Sequence, residues 1–152
     1  MSTQEQDLQD IYRHRVLEHS RDPHNFHRPA DANREALGFN PLCGDKLNVY
    51  LKIEDDHVTD IGFDGTGCAI SVASASMMTD TIAGQSLDDA KKMIHEIQDM
   101  LAEGGSLENP RLKDLAALEG VRNYPSRIKC ATLAWSTLDA ALNQTASEVT
   151  TE

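Results

Sequence analysis

One small antiparallel sheet with several helices around it is the fold this sequence predicts, and three observations carry the prediction. Leu47, Val49, Leu51 and Ile53 alternate with Asn48, Tyr50, Lys52 and Glu54, the period-two pattern of a strand with one buried face. Asp55-Asp56-His57 breaks the alternation, and a second strand near 58–64 carries Ile61 and Phe63 on one side, so the two read as a hairpin. Elsewhere, apolar residues recur at helical spacing. One domain is expected of 152 residues that no Ser/Pro/Gly-rich linker divides.

The elements follow in chain order. Residues 4–19 carry Leu8, Ile11, Tyr12 and Val16 at helical spacing, with Asp7 and Asp10 early, where the helix dipole favours acids. Two prolines and several turn formers make Ser20-Arg-Asp-Pro-His-Asn-Phe-His-Arg-Pro29 an irregular connection. Residues 34–40 form a weaker strand beside the hairpin. From Ala69 a run of small and flexible apolar residues predicts a helix closing at Gly84. Ser86-Leu-Asp-Asp89 is a capping-box pattern for a helix with stripe Leu87, Ala90, Ile94, Ile97 and Leu101, stopped by Gly104-Gly105. A short helical piece is expected around 112–118, and Pro125 opens a last helix with stripe Ile128, Ala131, Trp135, Leu138 and Leu142. The polar tail from about 144 has too little to bury and is expected to be disordered.

Charge and composition exclude several function classes. Twenty-five acidic against fourteen basic side chains give a formal net charge of −11, with the basic residues scattered, so a phosphate backbone would be repelled and no nucleic-acid partner is expected. No run of eighteen apolar residues and no apolar leader is present, which predicts no membrane association and a cytoplasmic protein. The sequence contains no Gly-x-Ser-x-Gly elbow, phosphate loop or dinucleotide fingerprint.

The three cysteines carry the chemistry. Cys43 lies in Pro41-Leu-Cys-Gly-Asp45, Cys68 in Gly65-Thr-Gly-Cys-Ala69 and Cys130 in Ser126-Arg-Ile-Lys-Cys130. An odd count leaves at least one thiol outside any internal disulfide, and an apolar content of 39% provides a core without staples, so ligands or nucleophiles are expected. Lone cysteines also serve as small buried hydrophobes, the alternative for each. Cys68 in a strand-to-helix turn and Cys130 in an opening helical turn would be eased toward thiolate by unpaired N–H groups. Asp45, two residues past Cys43, is placed to add an oxygen to three sulfurs. Such a set suits zinc, favoured because it tolerates the hard oxygen and needs no redox partner, while sulfur-rich sets also accept iron-sulfur clusters.

Other candidates read as ordinary. His14, His19, His24 and His27 lack the helical spacing of a paired ligand motif and are read as surface or hinge residues, as are His57 and His95. Met77, Met78, Met93 and Met100 read as core filler. Arg127 and Lys129 flank Cys130, either as solvated charges or as partners of an anionic sulfur. Gly44, Gly65 and Gly67 serve turns or close approach to a ligand equally well.

Taken together, Asn40-Pro-Leu-Cys-Gly-Asp45, Gly65-Thr-Gly-Cys-Ala-Ile-Ser71 with Ala73-Ser-Ala-Ser-Met-Met-Thr-Asp80, and Arg127-Ile-Lys-Cys-Ala-Thr-Leu-Ala-Trp135 resemble the iron-sulfur cluster assembly scaffold family, the group of IscU, the NifU N-terminal domain and SufU. The likeness runs over residues 8–142. It implies an α+β fold of the SufE/NifU-like kind, with a small antiparallel three-stranded sheet packed against several helices. It also implies zinc on Cys43, Asp45, Cys68 and Cys130, or alternatively a [2Fe-2S] cluster on the same ligands. Lys129 stands where the IscU branch usually has a histidine, and 102–120 reads as an insert; both features resemble the SufU branch. For that branch the resemblance implies a sulfurtransferase-like protein, with Cys43 accepting persulfide sulfur from a SufS-type cysteine desulfurase beside Arg127. A desulfurase histidine then replaces Cys43 on zinc, and the sulfur passes to downstream cluster assembly proteins.

Overall fold

The computed structural model describes residues 13–144 and 147–151, and the hairpin read from the sequence lies in its sheet. Strands β1 (Arg34–Asn40), β2 (Asp45–Glu54) and β3 (His57–Thr66) form an antiparallel meander. Leu47, Val49 and Leu51 are fully buried on the core face. Asp55 and Asp56 take φ of 50° and 60°, the doubly positive geometry of a two-residue hairpin turn whose twist matches the strands. A bulge follows: Ile53 faces Val58 while Lys52 faces Asp60, and the extra residue, Thr59, lets both Val58 and Ile61 point into the core.

Two expectations are corrected at the sheet edge. The sheet has four strands rather than three and is not purely antiparallel, because β4 (Glu148–Thr150), in the tail expected to be disordered, runs parallel to β1. Low apolar content argues against burial but not against backbone pairing, and the outer edge of β1 offers unpaired donors and acceptors. Leu37 N–H donates to Ser147 O at 2.8 Å, Thr151 N–H donates to Phe39 O at 3.0 Å, and Val149 packs half-buried against the core.

Helix α1 is described over 13–21, with Val16 buried; Leu8, Ile11 and Tyr12 of the expected stripe lie outside the described residues. The connection that follows is irregular, as its prolines dictate, and is pinned to β3 where Phe63 N–H donates to Asn25 O at 3.1 Å. It also places the Arg28 guanidinium 5.2 Å from the Tyr50 ring centroid.

Helix α2 (Ala69–Ile82) is apolar or small on nearly every side and is accordingly buried around most of its circumference. Helix α3 (Leu87–Glu103) is amphipathic, with the Ser86 side chain accepting from Asp89 N–H at 3.1 Å and Gly104 closing it at φ 78°. The expected short helical piece is a chain of 3-10 turns over Pro110–Asn123. Its buried residues, Leu112, Leu115, Leu118 and Val121, recur every third position, the repeat that puts side chains on one face of a 3-10 helix. Helix α4 (Pro125–Asn143) starts with proline in its first turn and carries the fully buried Trp135. Met77, Met78, Met93 and Met100 are core residues, as expected. Among the described residues, no helix is long and apolar enough to cross a membrane.

Two contacts set where α4 sits. Trp135 Nε1–H donates to Ser74 Oγ at 3.1 Å, and that hydroxyl donates to Ala131 O at 2.7 Å, so α2 and α4 are joined through one buried serine. On the sheet side, α4 approaches Gly38 so closely that a Cβ there would run into Thr137 Oγ1 and Leu133 Cδ1. Gly38→Ala is therefore expected to cost about 1–3 kcal/mol, the usual range for overpacking, seen as a lower urea midpoint with unchanged slope.

Candidate metal centre

The three cysteine segments arrive from different elements at one end of the sheet. Asn40 and Asp45 are directly opposed at the ends of β1 and β2, so the turn between them lifts Cys43 above the buried pair, with Gly44 at φ 72° closing it. Cys68 is the residue immediately before α2, and Cys130 lies on α4. Ligand atoms of Cys43, Asp45 and Cys130 all lie within 4.8 Å of one another. Cys68 is not a member of that trio, but its backbone N–H donates to Asp45 Oδ1 at 2.8 Å, which anchors the start of α2 to the same carboxylate.

Asp45 is nearly fully buried, and a buried carboxylate needs partners. Besides the Cys68 amide it accepts from Asn40 Nδ2 at 3.0 Å, and the same Asn40 amide reaches Cys130 Sγ at 3.4 Å. Asn40 is itself fully buried, and its Oδ1 accepts from Thr151 Oγ1–H at 2.9 Å. Gly67 passes so close to Asp45 that a Cβ there would meet Oδ1 at 2.8 Å, so close approach to the site, not turn formation alone, accounts for this glycine.

The thiols differ in exposure. Cys43 and Cys68 are half-buried, whereas Cys130 is fully buried and its thiol donates to Cys43 Sγ at 3.3 Å. Cys130 is not in the opening turn of α4 but a turn further in, where its distance from the helix end removes the expected ease of ionisation. Burial, then hydrogen bonds with Cys43 and Cys68, push its thiol well above the ordinary value of 9.0. A thiol held neutral by folding stabilises fully below its unfolded pKa, and that contribution is lost as pH rises. The metal-free chain is therefore expected to lose stability above about pH 9, the ordinary thiol value. Urea midpoints measured across that range in chelator would show the fall; a flat profile would contradict it.

Arg127 is exposed one turn before Cys130, and its interaction with the cysteines, Cys68 first and then Cys130, raises its pKa. Arg127 also lines an open cleft of about 920 Å³, whose walls include Ile70, Val121, Arg122 and Tyr124. Leu42 beside Cys43 and Tyr124 beside the cleft are exposed at 62% and 63%.

Cys43, Asp45 and Cys130 are grouped closely enough to hold a metal ion, and two sulfurs with a carboxylate oxygen are donors of the kind that zinc and other transition metals accept. Buried neutral thiols become ligands by losing protons to the metal, so binding would reverse the protonation of Cys130. Sequence reasoning missed the supporting roles of Asn40 and Thr151. Asn40 sits inside the motif around Cys43, but only the β1–β2 register and the β4 strand reveal its contacts. Loss of such a supporting partner typically weakens metal binding about 10–100-fold, and that loss is expected of Asn40→Ala in zinc competition titrations.

Residues 11–150 match the family described as the NifU-like N terminal domain. The chain is 38% identical over 143 residues to the iron-sulfur cluster assembly scaffold protein IscU of Streptococcus pyogenes serotype M1, covering 92% of this chain and 87% of that protein. It is 39% identical over 132 residues to the zinc-dependent sulfurtransferase SufU of Bacillus subtilis strain 168, covering 87% of this chain and 89% of that one. Among solved structures, the N-terminal NifU-like protein of Brucella abortus superposes with a TM-score of 0.82 at 29% identity, covering 90% of this chain and 95% of that chain.

Proposed function

The chain belongs to the family of the NifU-like N terminal domain, and from that membership we propose that it is a zinc-dependent sulfur acceptor of iron-sulfur cluster assembly, loaded on Cys43 by a cysteine desulfurase. The observation that carries this reading is the position of Cys43: a half-buried thiol on a turn, 3.3 Å from the buried Cys130 sulfur and grouped with the buried Asp45 carboxylate. Cys43, Asp45, Cys68 and Cys130 would hold the zinc, with Cys68 turning its side chain inward from the start of α2. Zinc keeps thiols ionised at neutral pH while tempering their nucleophilicity.

The transfer is an exchange without net oxidation. The Cys43 thiolate attacks the terminal sulfur of the desulfurase persulfide; the desulfurase S–S bond breaks, its cysteine leaves as thiolate, and the new S–S bond is on Cys43. Arg127, whose pKa the neighbouring cysteines raise, would supply a fixed positive charge suited to holding the anionic persulfide. Exposed Leu42 on the turn and exposed Tyr124 in the cleft that Arg127 lines would give a partner apolar surface. The desulfurase is proposed to be of the SufS type, with downstream assembly proteins receiving the sulfur and the exchange taking place in the cytoplasm.

A scaffold that builds a [2Fe-2S] cluster on the same side chains is the competing reading, and near-equal identity to IscU and SufU relatives does not divide the two. Lys129 before Cys130 and the expected insert over 102–120, which the 3-10 segment Pro110–Asn123 overlaps, favour the sulfur acceptor. The test compares zinc-loaded and zinc-stripped chain with a desulfurase and cysteine. The acceptor reading predicts faster alanine release and one added sulfur by intact mass with the zinc-loaded chain. No stimulation, together with a transferable cluster after anaerobic incubation with iron and sulfide, would overturn it.

A further inference from the structure

Away from the cysteines, α1, the connection after it and α2 bring together a second group of ligating side chains. His19 on α1, His24 in the connection after it and Asp80 on α2 bring one ligand atom each to within 4.8 Å of one another. His24 Nδ1 stands 2.5 Å from Asp80 Oδ2, and the two imidazole rings have centroids 4.5 Å apart. His19 is 7% exposed, contrary to the expected surface or hinge role, because α1 lays it against α2.

His19 and Asp80 each have a partner on the atom turned away from the cluster, and the backbone of His24 is held by the same serine as His19. Ser76 Oγ lies 2.7 Å from His19 Nδ1 and accepts the His24 backbone N–H at 2.8 Å. Asn25 Nδ2 donates to Thr79 Oγ1 at 3.0 Å and reaches Asp80 Oδ1 at 3.3 Å, leaving Oδ2 toward the histidines. Partners on the far atoms of imidazole and carboxylate are what hold metal ligands in register. Burial foremost, then the neighbouring His24, lowers the pKa of His19, which favours the neutral ring that a metal needs.

We propose that His19, His24 and Asp80 form a second divalent-metal site, separate from the cysteines, that ties the connection after α1 to α2. Two imidazoles and one carboxylate select zinc and its transition-row neighbours over magnesium or calcium, which take oxygen ligands. An ion between His24 and Asp80 needs their ligand atoms to part by roughly 0.8 Å to reach tetrahedral spacing at zinc bond lengths. Both side chains are near half exposure, at 43% and 45%, so core packing does not oppose that adjustment.

Cobalt(II) titration of the full chain, followed by optical spectroscopy and a metal count after desalting, tests this without any desulfurase. It therefore stands or falls separately from the sulfur-acceptor reading. The native chain should retain one cobalt with thiolate charge-transfer absorption and another showing ligand-field bands alone. Asp80→Asn and His24→Gln should each lose only the second, with circular dichroism unchanged. The chain with all three cysteines changed to serine should keep only the second. If that variant fails to fold, the Asp80 and His24 variants decide alone. A second cobalt absent from the native chain, or surviving both Asp80→Asn and His24→Gln, would overturn the proposal.

Discussion

Cys43→Ala is expected to reduce sulfur acceptance at least ~100-fold, to the rate of the desulfurase without an acceptor, because it removes the attacking atom and not an accessory group. The fold should survive. Cys43 sits on a turn, and its described side-chain contact is the Cys130 sulfur at 3.3 Å. On the proposed ligand set, zinc should be retained more weakly, since Asp45, Cys68 and Cys130 would remain and water could take the fourth position. The measurement is alanine release by the desulfurase at saturating acceptor, alongside zinc content and circular dichroism. Full stimulation by a folded Cys43→Ala chain would remove Cys43 from the proposed chemistry.

Asp45→Ala is expected to be worse for the protein as a whole. The Asp45 carboxylate accepts from the Cys68 amide at 2.8 Å and the Asn40 side chain at 3.0 Å, so truncation strands two donors inside the structure. Each orphaned buried donor costs about 1–3 kcal/mol, a large share of a domain's total stability of about 5–15 kcal/mol. The same change removes the proposed oxygen ligand and releases the start of α2, and with it Cys68, from the sheet. Zinc affinity should fall more than the ~10–100-fold expected for a supporting residue. Asp45→Asn is the milder change: its amide oxygen can still accept from the Cys68 amide, but its NH2 then faces the Asn40 Nδ2 donor, so only part of the lost stability is recovered while metal binding stays weakened. Urea denaturation and zinc competition on the two variants check this; equal stability of Asp45→Ala and the native chain would contradict the role given to the carboxylate.

Much of this fold is written locally. The alternation through Leu47, Val49 and Leu51 needs only a buried face, and the stripe from Ala90 to Leu101 needs only a helix against a core, so both are legible from spacing. The three-residue repeat of Leu112, Leu115, Leu118 and Val121 was present in the sequence too, although a short helical piece was all it suggested. What spacing cannot convey is pairing at a distance. β4 is defined by hydrogen bonds to the edge of β1, which leave no apolar pattern, and Thr151 reaches Asn40 only because that pairing exists.

The site divides along the same line. The residue types around Cys43, Asp45, Cys68 and Cys130 announce metal or sulfur chemistry, but how deeply each thiol is buried depends on how α2 and α4 pack. Cys130 is buried a turn inside α4 and held neutral, while Cys43 remains accessible. The histidines show the converse. His19 and His24 lack a recognisable spacing because their third companion, Asp80, is more than fifty residues away and is brought to them by the packing of α1 and its connection on α2.

Anomalous diffraction at the zinc edge from crystals of the freshly purified chain tests the central claim most directly. A strong peak within bonding distance of Cys43, Asp45, Cys68 and Cys130 is the predicted result, at about 2.3 Å from sulfur and 2.0–2.2 Å from oxygen. Fully occupied zinc elsewhere with none among these four side chains, or the cysteines turned toward separate regions in that crystal, would contradict it.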